Sequence, residues 1–166
     1  KLLKIDKVDN QVISGKILKK IQNIIKSKKC DALIFSDFRH GIFNKTTIPL
    51  LISSIPNKTF KVADSQVATR WGNITDFVEF DLLTPNEREV RFSLADQDSS
   101  ISNLTRELQF KAKFKNLILK LGERGVISVD GINKKASAFS IPSFVKKGVD
   151  TTGTGDALLS YATLSM

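Results

Sequence analysis

At 166 residues the chain suits one well-buried domain and is short for two ordinary ones. With 41% hydrophobic and 26% charged residues it reads as soluble and globular, and its single cysteine, Cys30, excludes an internal disulfide framework. No run approaches the roughly 18 apolar residues of a membrane span, and the formal net charge of +9 raises nucleic acid as a partner.

That charge is concentrated early: residues 1–30 hold nine lysines against Asp6 and Asp9. The lysines fall on the polar side of an amphipathic stretch built on Val12, Ile13, Ile17, Leu18, Ile21, Ile24 and Ile25. No aromatic residues interleave with them, so a solvated helix face accounts for the charge, and nucleic-acid binding and membrane association are not expected. The cysteine usage fits a reducing cytoplasm, with Cys30 expected as a small, partly buried residue at a strand entry. The chain opens on Lys1, has Met166 as its one methionine and stops inside a helix-forming run, so it is expected to be a piece of a longer polypeptide.

In chain order, the periodicity predicts a helix over 11–28 and a buried strand in D-A-L-I-F-S-D, 31–37. A second helix is expected over 46–56 and a strand in T-F-K-V-A-D-S, 59–65. F-V-E-F-D-L-L, from Phe77, predicts a strand over 78–83 that runs into Pro85, after which Asn86 can cap a helix over 87–94. A further helix is expected over 100–112 and a buried strand over 115–121. After Gly122 the pattern changes to short antiparallel strands over 125–143, separated from the preceding strand by G-E-R-G. Buried strands alternating with amphipathic helices indicate an α/β fold, a mostly parallel sheet with an antiparallel edge. Ligands bind such sheets beyond the carboxyl ends of the strands, where this chain carries Asp37, Asp64, Asn86 with Glu89, and Gly122.

The run V-D-T-T-G-T-G-D-A-L-L-S, Val149 to Ser160, completes that rim. Gly153 and Gly155 permit a sharp turn and close approach of a ligand, and the residues that follow (Ala157, Leu158, Leu159, Ala162, Leu164) suit a helix with an apolar face. A helix starting near Gly155 aims its free backbone N–H groups into the turn and makes an anion site. Asp156 falls in its first turn, where an acid complements the helix dipole but repels a bound phosphate. The dinucleotide fingerprint fails because its third glycine position is Leu158, and no G-K-[ST] of a Walker loop occurs. Taken without context, Asn86 and Glu89 read as a capping pair and Gly122 and Gly125 as a hairpin turn. His40 and Trp71 suggest no chemistry.

Five segments together resemble the PfkB-type, ribokinase-like sugar kinases. The run from Val149 resembles their D-T-x-G-A-G-D signature, with Thr154 at the usual alanine; T-P-N-E-R-E-V (84–90) resembles N-x-x-E through Asn86 and Glu89. L-K-L-G-E-R-G (119–125) is similar to T-L-G-x-x-G with Lys120 in place of threonine. S-D-F-R-H-G (36–41) resembles S-D-Y-x-K-G of the heptose-phosphate kinase branch, and A-D-S-Q-V-A-T-R-W-G-N (63–73) the D-x-N-x-R segment, with Gln66 at the asparagine.

The resemblance implies a three-layer ribokinase-like fold, present as one partial domain over 1–166 that lacks the N-terminal strands, most of the β lid and the C-terminal helices. Lys1–Asn10 would be the last edge of that lid. It implies an ATP-dependent transfer of the γ-phosphoryl to a hydroxyl of a sugar or sugar phosphate, with Asp156 as general base and Gly153, Thr154 and Gly155 as the anion hole. Asn86 and Glu89 would organise Mg2+, largely through water; Asp150 and Thr152 would hold a monovalent cation such as K+. Lys120, Gly122 and Gly125 would face the nucleotide, and Asp37 and Asp64 the substrate. A homodimer is the expected assembly. A nucleoside or vitamin kinase of the same fold, and a non-catalytic nucleotide-binding regulatory domain, remain as alternatives.

Overall fold

The computed structural model describes residues 11–66, 73–132, 138–144 and 152–166. The lid-edge segment Lys1–Asn10, Trp71 and Asp150 therefore lie outside the described residues.

Among the described residues, six strands form one sheet in sequential order: β1 (Ala32–Asp37), β2 (Phe60–Ser65), β3 (Leu82–Leu83), β4 (Asn116–Lys120), β5 (Val126–Asp130) and β6 (Ala138–Ile141). The first four run parallel, and β5 and β6 are added antiparallel, as the change of pattern after Gly122 predicts. Around them lie α1 (Gly15–Ser27), α2 (Thr47–Ile52), α3 (Glu87–Leu94), α4 (Ile101–Ala112) and α5 (Thr154–Ser165).

Two apolar clusters separate the three layers. The larger joins Phe35, Ala63, Leu83, Leu117 and Leu119 of the sheet to Ile25, Leu51, Val90 and Leu104 of α1 to α4. The smaller joins Val62, Leu82 and the partly buried Ile118 to Leu159 and Ala162 of α5. Neighbouring strand residues thus point to opposite faces, as the two-residue period of a pleated strand requires. Helix α5 is alone among the described helices in sharing a cluster with Val62 and Leu82.

Several elements are shorter than the periodicity predicts, each for a local reason. Helix α1 starts where the Ser14 side chain accepts from the Ile17 N–H; its Leu18, Ile21 and Ile25 pack on the core, while Ile17 and Ile24 are about half exposed. Helix α2 stops at Ile52, where the Ser53 and Ser54 hydroxyls both donate to the Leu50 carbonyl. Strand β3 keeps two residues because Glu79 takes a left-handed φ of 59° before it and Pro85, which has no N–H, follows it. Its ladder nonetheless continues in single bonds: the Lys120 N–H donates to the Pro85 carbonyl at 2.9 Å, and Asn86 bridges to Lys120. On α5, Leu159 and Ala162 are buried but Leu164 is exposed, so the apolar face is narrower than expected. Cys30 is exposed rather than partly buried, because it precedes β1 instead of entering it.

The turn between β4 and β5 depends on Gly125. Its φ of 90° and ψ of −137° suit only glycine, and a Cβ there would lie 2.7 Å from the Pro142 carbonyl carbon and the Ser143 nitrogen at the end of β6. Gly122 also has a positive φ, 62°, but a Cβ there meets nothing within 4 Å. Gly125→Ala is therefore expected to cost more than about 2 kcal/mol, since strain and a backbone collision add, whereas Gly122→Ala costs about 1 kcal/mol. Denaturant unfolding of the two variants checks this; equal losses would show that the β6 backbone yields.

Candidate active site

Parallel strands bring their carboxyl ends to one edge, and the register assigns the occupants. Asp64 follows Val62 by two residues and Lys120 follows Ile118 by two, so both continue the row that faces α5. Strand β3 lies between β2 and β4. The Lys120 side chain therefore crosses β3 to reach Asp64, where Nζ donates to Oδ1 at 3.1 Å and to Oδ2 at 3.0 Å. Both side chains are largely buried, 16% exposed for Lys120 and 6% for Asp64. Thr84, two residues after Leu82 and just past the end of β3, continues the same row and is fully buried.

Asn86 and Glu89 close a complete capping box at the start of α3. The Asn86 side chain accepts from the Glu89 N–H at 2.8 Å, and the Glu89 carboxylate accepts from the Asn86 N–H and from Asn86 Nδ2, each at 2.6 Å. Each Glu89 oxygen takes one of these bonds, which leaves acceptor capacity on both.

Helix α5 begins opposite. Gly153 is its N-cap with a left-handed φ of 78°, its carbonyl accepting from the Ala157 N–H at 2.9 Å. Asp156 stands in the first turn. A Cβ on Gly155 would lie 3.4 Å from Lys120 Nζ, so the ammonium is in van der Waals reach of that turn.

These pieces line one cleft of about 900 Å3, bounded by Asp64, Asn86, Glu89 and Lys120 on one side and Gly153, Thr154, Gly155 and Asp156 on the other. Gly122 and Gly125 also line it, as do Ile141 at the end of β6 and the following Pro142 to Phe144, which sequence reasoning missed. Asp37 stands apart. Its carboxylate is held by the Arg39 N–H at 2.7 Å, the Arg39 guanidinium at 2.9 Å and Asn73 Nδ2 at 2.9 Å, while Asn73 also meets the Ser65 hydroxyl. Of the two residues expected to hold a monovalent cation, Thr152 is described and Asp150 is not.

Burial dominates the electrostatics. Desolvation pushes the Glu89 carboxyl from 4.5 up to about 7, against the pull of the Asn86 N–H and the Lys120 charge. Asp64 is also raised, again chiefly by desolvation, with Lys120 opposing it and Asp156 adding repulsion. Among the described residues no three His, Cys, Asp or Glu side chains are close enough to hold a metal ion between them. Magnesium does not need such a cage, since it keeps several waters and binds through one or two carboxylates plus phosphate oxygens. Glu89 with Asn86, facing a cleft wide enough for a polyphosphate, fits that mode.

A six-stranded, mostly parallel sheet with an antiparallel edge and a glycine turn opening a helix over the strand ends is the ribokinase-like fold. It is shared with phosphofructokinase-2 of Escherichia coli, in a structure in complex with potassium (TM-score 0.74, 17% identity, 93% of this chain and 50% of that one). It is likewise shared with a ribokinase of Arabidopsis thaliana complexed with ribose and ATP (TM-score 0.64, 16% identity, 94% and 47%). Residues 43–161 match the pfkB family of carbohydrate kinases, and the chain belongs to that family. Among curated proteins it is similar to the bifunctional protein HldE of Helicobacter pylori strain Shi470, 23% identical over 170 residues that cover 99% of this chain. The chain spans about a third of that relative's length and about half of the matched structures. No described helix is long and apolar enough to cross a membrane.

The raised Glu89 carboxyl has a thermodynamic signature. Its contribution to stability is fully present below about pH 4.5 and is lost as pH rises through about 7, because the unfolded carboxyl gives up its proton earlier. A shift from 4.5 to about 7 corresponds to a loss on the order of 3 kcal/mol. Glu89→Gln keeps the capping box and removes the titration. Melting temperatures should therefore show the variant more stable than the parent at pH 8 and similar to it at pH 4.5. A difference that is the same at both pH values would contradict the burial argument.

Proposed function

We propose that the full-length protein is an ATP-dependent sugar kinase that transfers the γ-phosphoryl group to a hydroxyl of a sugar or sugar phosphate. The observation that carries this reading is the convergence of Asp156 and the Gly153–Gly155 turn on the cleft that Asn86, Glu89 and Lys120 line. The S-D-F-R-H-G and T-P-N-E-R-E segments favour a heptose phosphate as acceptor.

Phosphoryl transfer asks a protein mainly to position groups and to spread negative charge. In this reading the backbone N–H groups at the start of α5, from Gly153 to Gly155, receive the transferring phosphoryl oxygens, aided by the positive end of the helix dipole. Asp156 takes the proton of the attacking hydroxyl, which makes its oxygen the stronger nucleophile. Lys120, Gly122 and Gly125 face the nucleotide. Asp64 would face the acceptor, as would Asp37, whose carboxylate is held by Arg39 and Asn73. Bound Mg2+ supplies charge neutralisation on the phosphates; Glu89 and Asn86 would hold it through water. Thr152, with Asp150, would take a monovalent cation, a reading supported by the potassium in the E. coli phosphofructokinase-2 structure. A cytoplasmic location and a homodimer belong to the same proposal.

Asp156→Asn in the full-length protein tests the central role. The substitution keeps the size, the backbone N–H groups and the helix start, so nucleotide affinity should hold or tighten as a negative charge leaves the phosphate's surroundings. Turnover should fall by about 10²–10⁴-fold, the range of positioned proton transfer. Steady-state assays with a panel of sugar phosphates read this out. Normal turnover would reduce Asp156 to a helix-dipole residue and defeat the mechanism.

A further inference from the structure

The Asp64–Lys120 pair is the one ion pair among those described between cleft-lining residues, and it has an unusual construction. Strands β2 and β4 flank β3, so their backbones stand about 9.6 Å apart, twice the usual strand spacing. Only a long side chain bridges that gap. Thr84, just after β3, has a buried hydroxyl with no hydrogen-bond partner among the described residues. An ammonium has three donors, and the Asp64 oxygens account for two contacts. The remaining capacity lies in the cleft, against the first turn of α5 and in electrostatic range of Glu89. Among the described residues, three carboxylates, Asp64, Glu89 and Asp156, and one ammonium, Lys120, line this cleft. Without it, the charged side chains of the described lining are all carboxylates.

We propose that Lys120 is a tethered cation that exchanges Asp64 for the terminal phosphates of the nucleotide, so that the site binds polyphosphate in part without a metal ion. The inference rests on the kinase reading above, and it makes Asp64 a competitor for the ammonium as well as its anchor. Holding Lys120 on Asp64 in the empty site keeps a buried ammonium paired. Release toward a phosphate leaves Asp64 with a carboxyl that burial already disposes to take a proton. No covalent step is involved.

Opposite substitutions on the two partners separate this from a structural ion pair. Binding of ATP to the full-length protein is measured by calorimetry twice, with excess Mg2+ and with EDTA. Lys120→Met keeps most of the side-chain length without the charge and should weaken binding in EDTA by at least about 10-fold, as expected for a lost charge-assisted contact. The loss with Mg2+ should be smaller. Asp64→Asn frees the ammonium while leaving it an acceptor oxygen, and should tighten binding in EDTA by several-fold. A pair that only braces the strands would weaken binding in both variants, and that outcome overturns the proposal. So does unchanged affinity of Lys120→Met in EDTA. If Lys120→Met does not fold, the sign of the Asp64→Asn effect decides alone. If the parent binds no ATP even with Mg2+, the kinase reading itself fails, a result distinct from either.

Discussion

The alternation of side chains along three adjacent parallel strands is the constraint on which this molecule turns. Val62, Leu82 and Ile118 must face α5 for that helix to bury Leu159 and Ala162. With that settled, the residues two places further on, Asp64, Thr84 and Lys120, have no choice of face. They stand where the apolar row runs out and the first turn of α5 begins. A slip of one residue in any of the three strands would send its polar residue into the large cluster on the other side. The packing of α5 and the chemistry of the cleft are one arrangement.

Within the cleft, solvent exclusion outweighs local charge. Glu89 and Asp64 each feel the Lys120 ammonium, yet both carboxyls are displaced toward the protonated form, since losing water costs more than one neighbour returns. An acidic, partly dry pocket is a poor host for a polyphosphate by itself. In the proposed function, cations that arrive with the ligand offset these acids.

How much of this could be read beforehand depended on distance along the chain. The capping box, the glycine turn and the alternation of strands and helices are spelled out within a few residues each, and they stand in the structure as read. Strand β3 was legible as an apolar run, but Glu79 in a left-handed turn and the missing Pro85 N–H trim it to Leu82–Leu83. The Asp64–Lys120 contact joins residues 56 apart and needs the strand order before it can be inferred. The parity of the two runs, each polar residue two places after an apolar one, was the available signal. Asp37 was read as facing substrate, while its grip by Asn73 spans 36 residues that no local pattern ties together. Gly125 looked like a turn residue, and its tight fit against the end of β6 belongs to tertiary packing.

The ends of α3 and α4 point to something about the history of the chain. Ala95 (φ 55°) and Lys113 (φ 50°) close those helices in the left-handed conformation that glycine adopts without strain. Each spends roughly 1 kcal/mol in steric cost that a smaller residue would avoid. Neither residue lines the cleft, and both helices pack on the sheet face opposite α5. The scaffold thus carries thermal stability in reserve, available to selection or to an engineer through single changes that leave the cleft as it is.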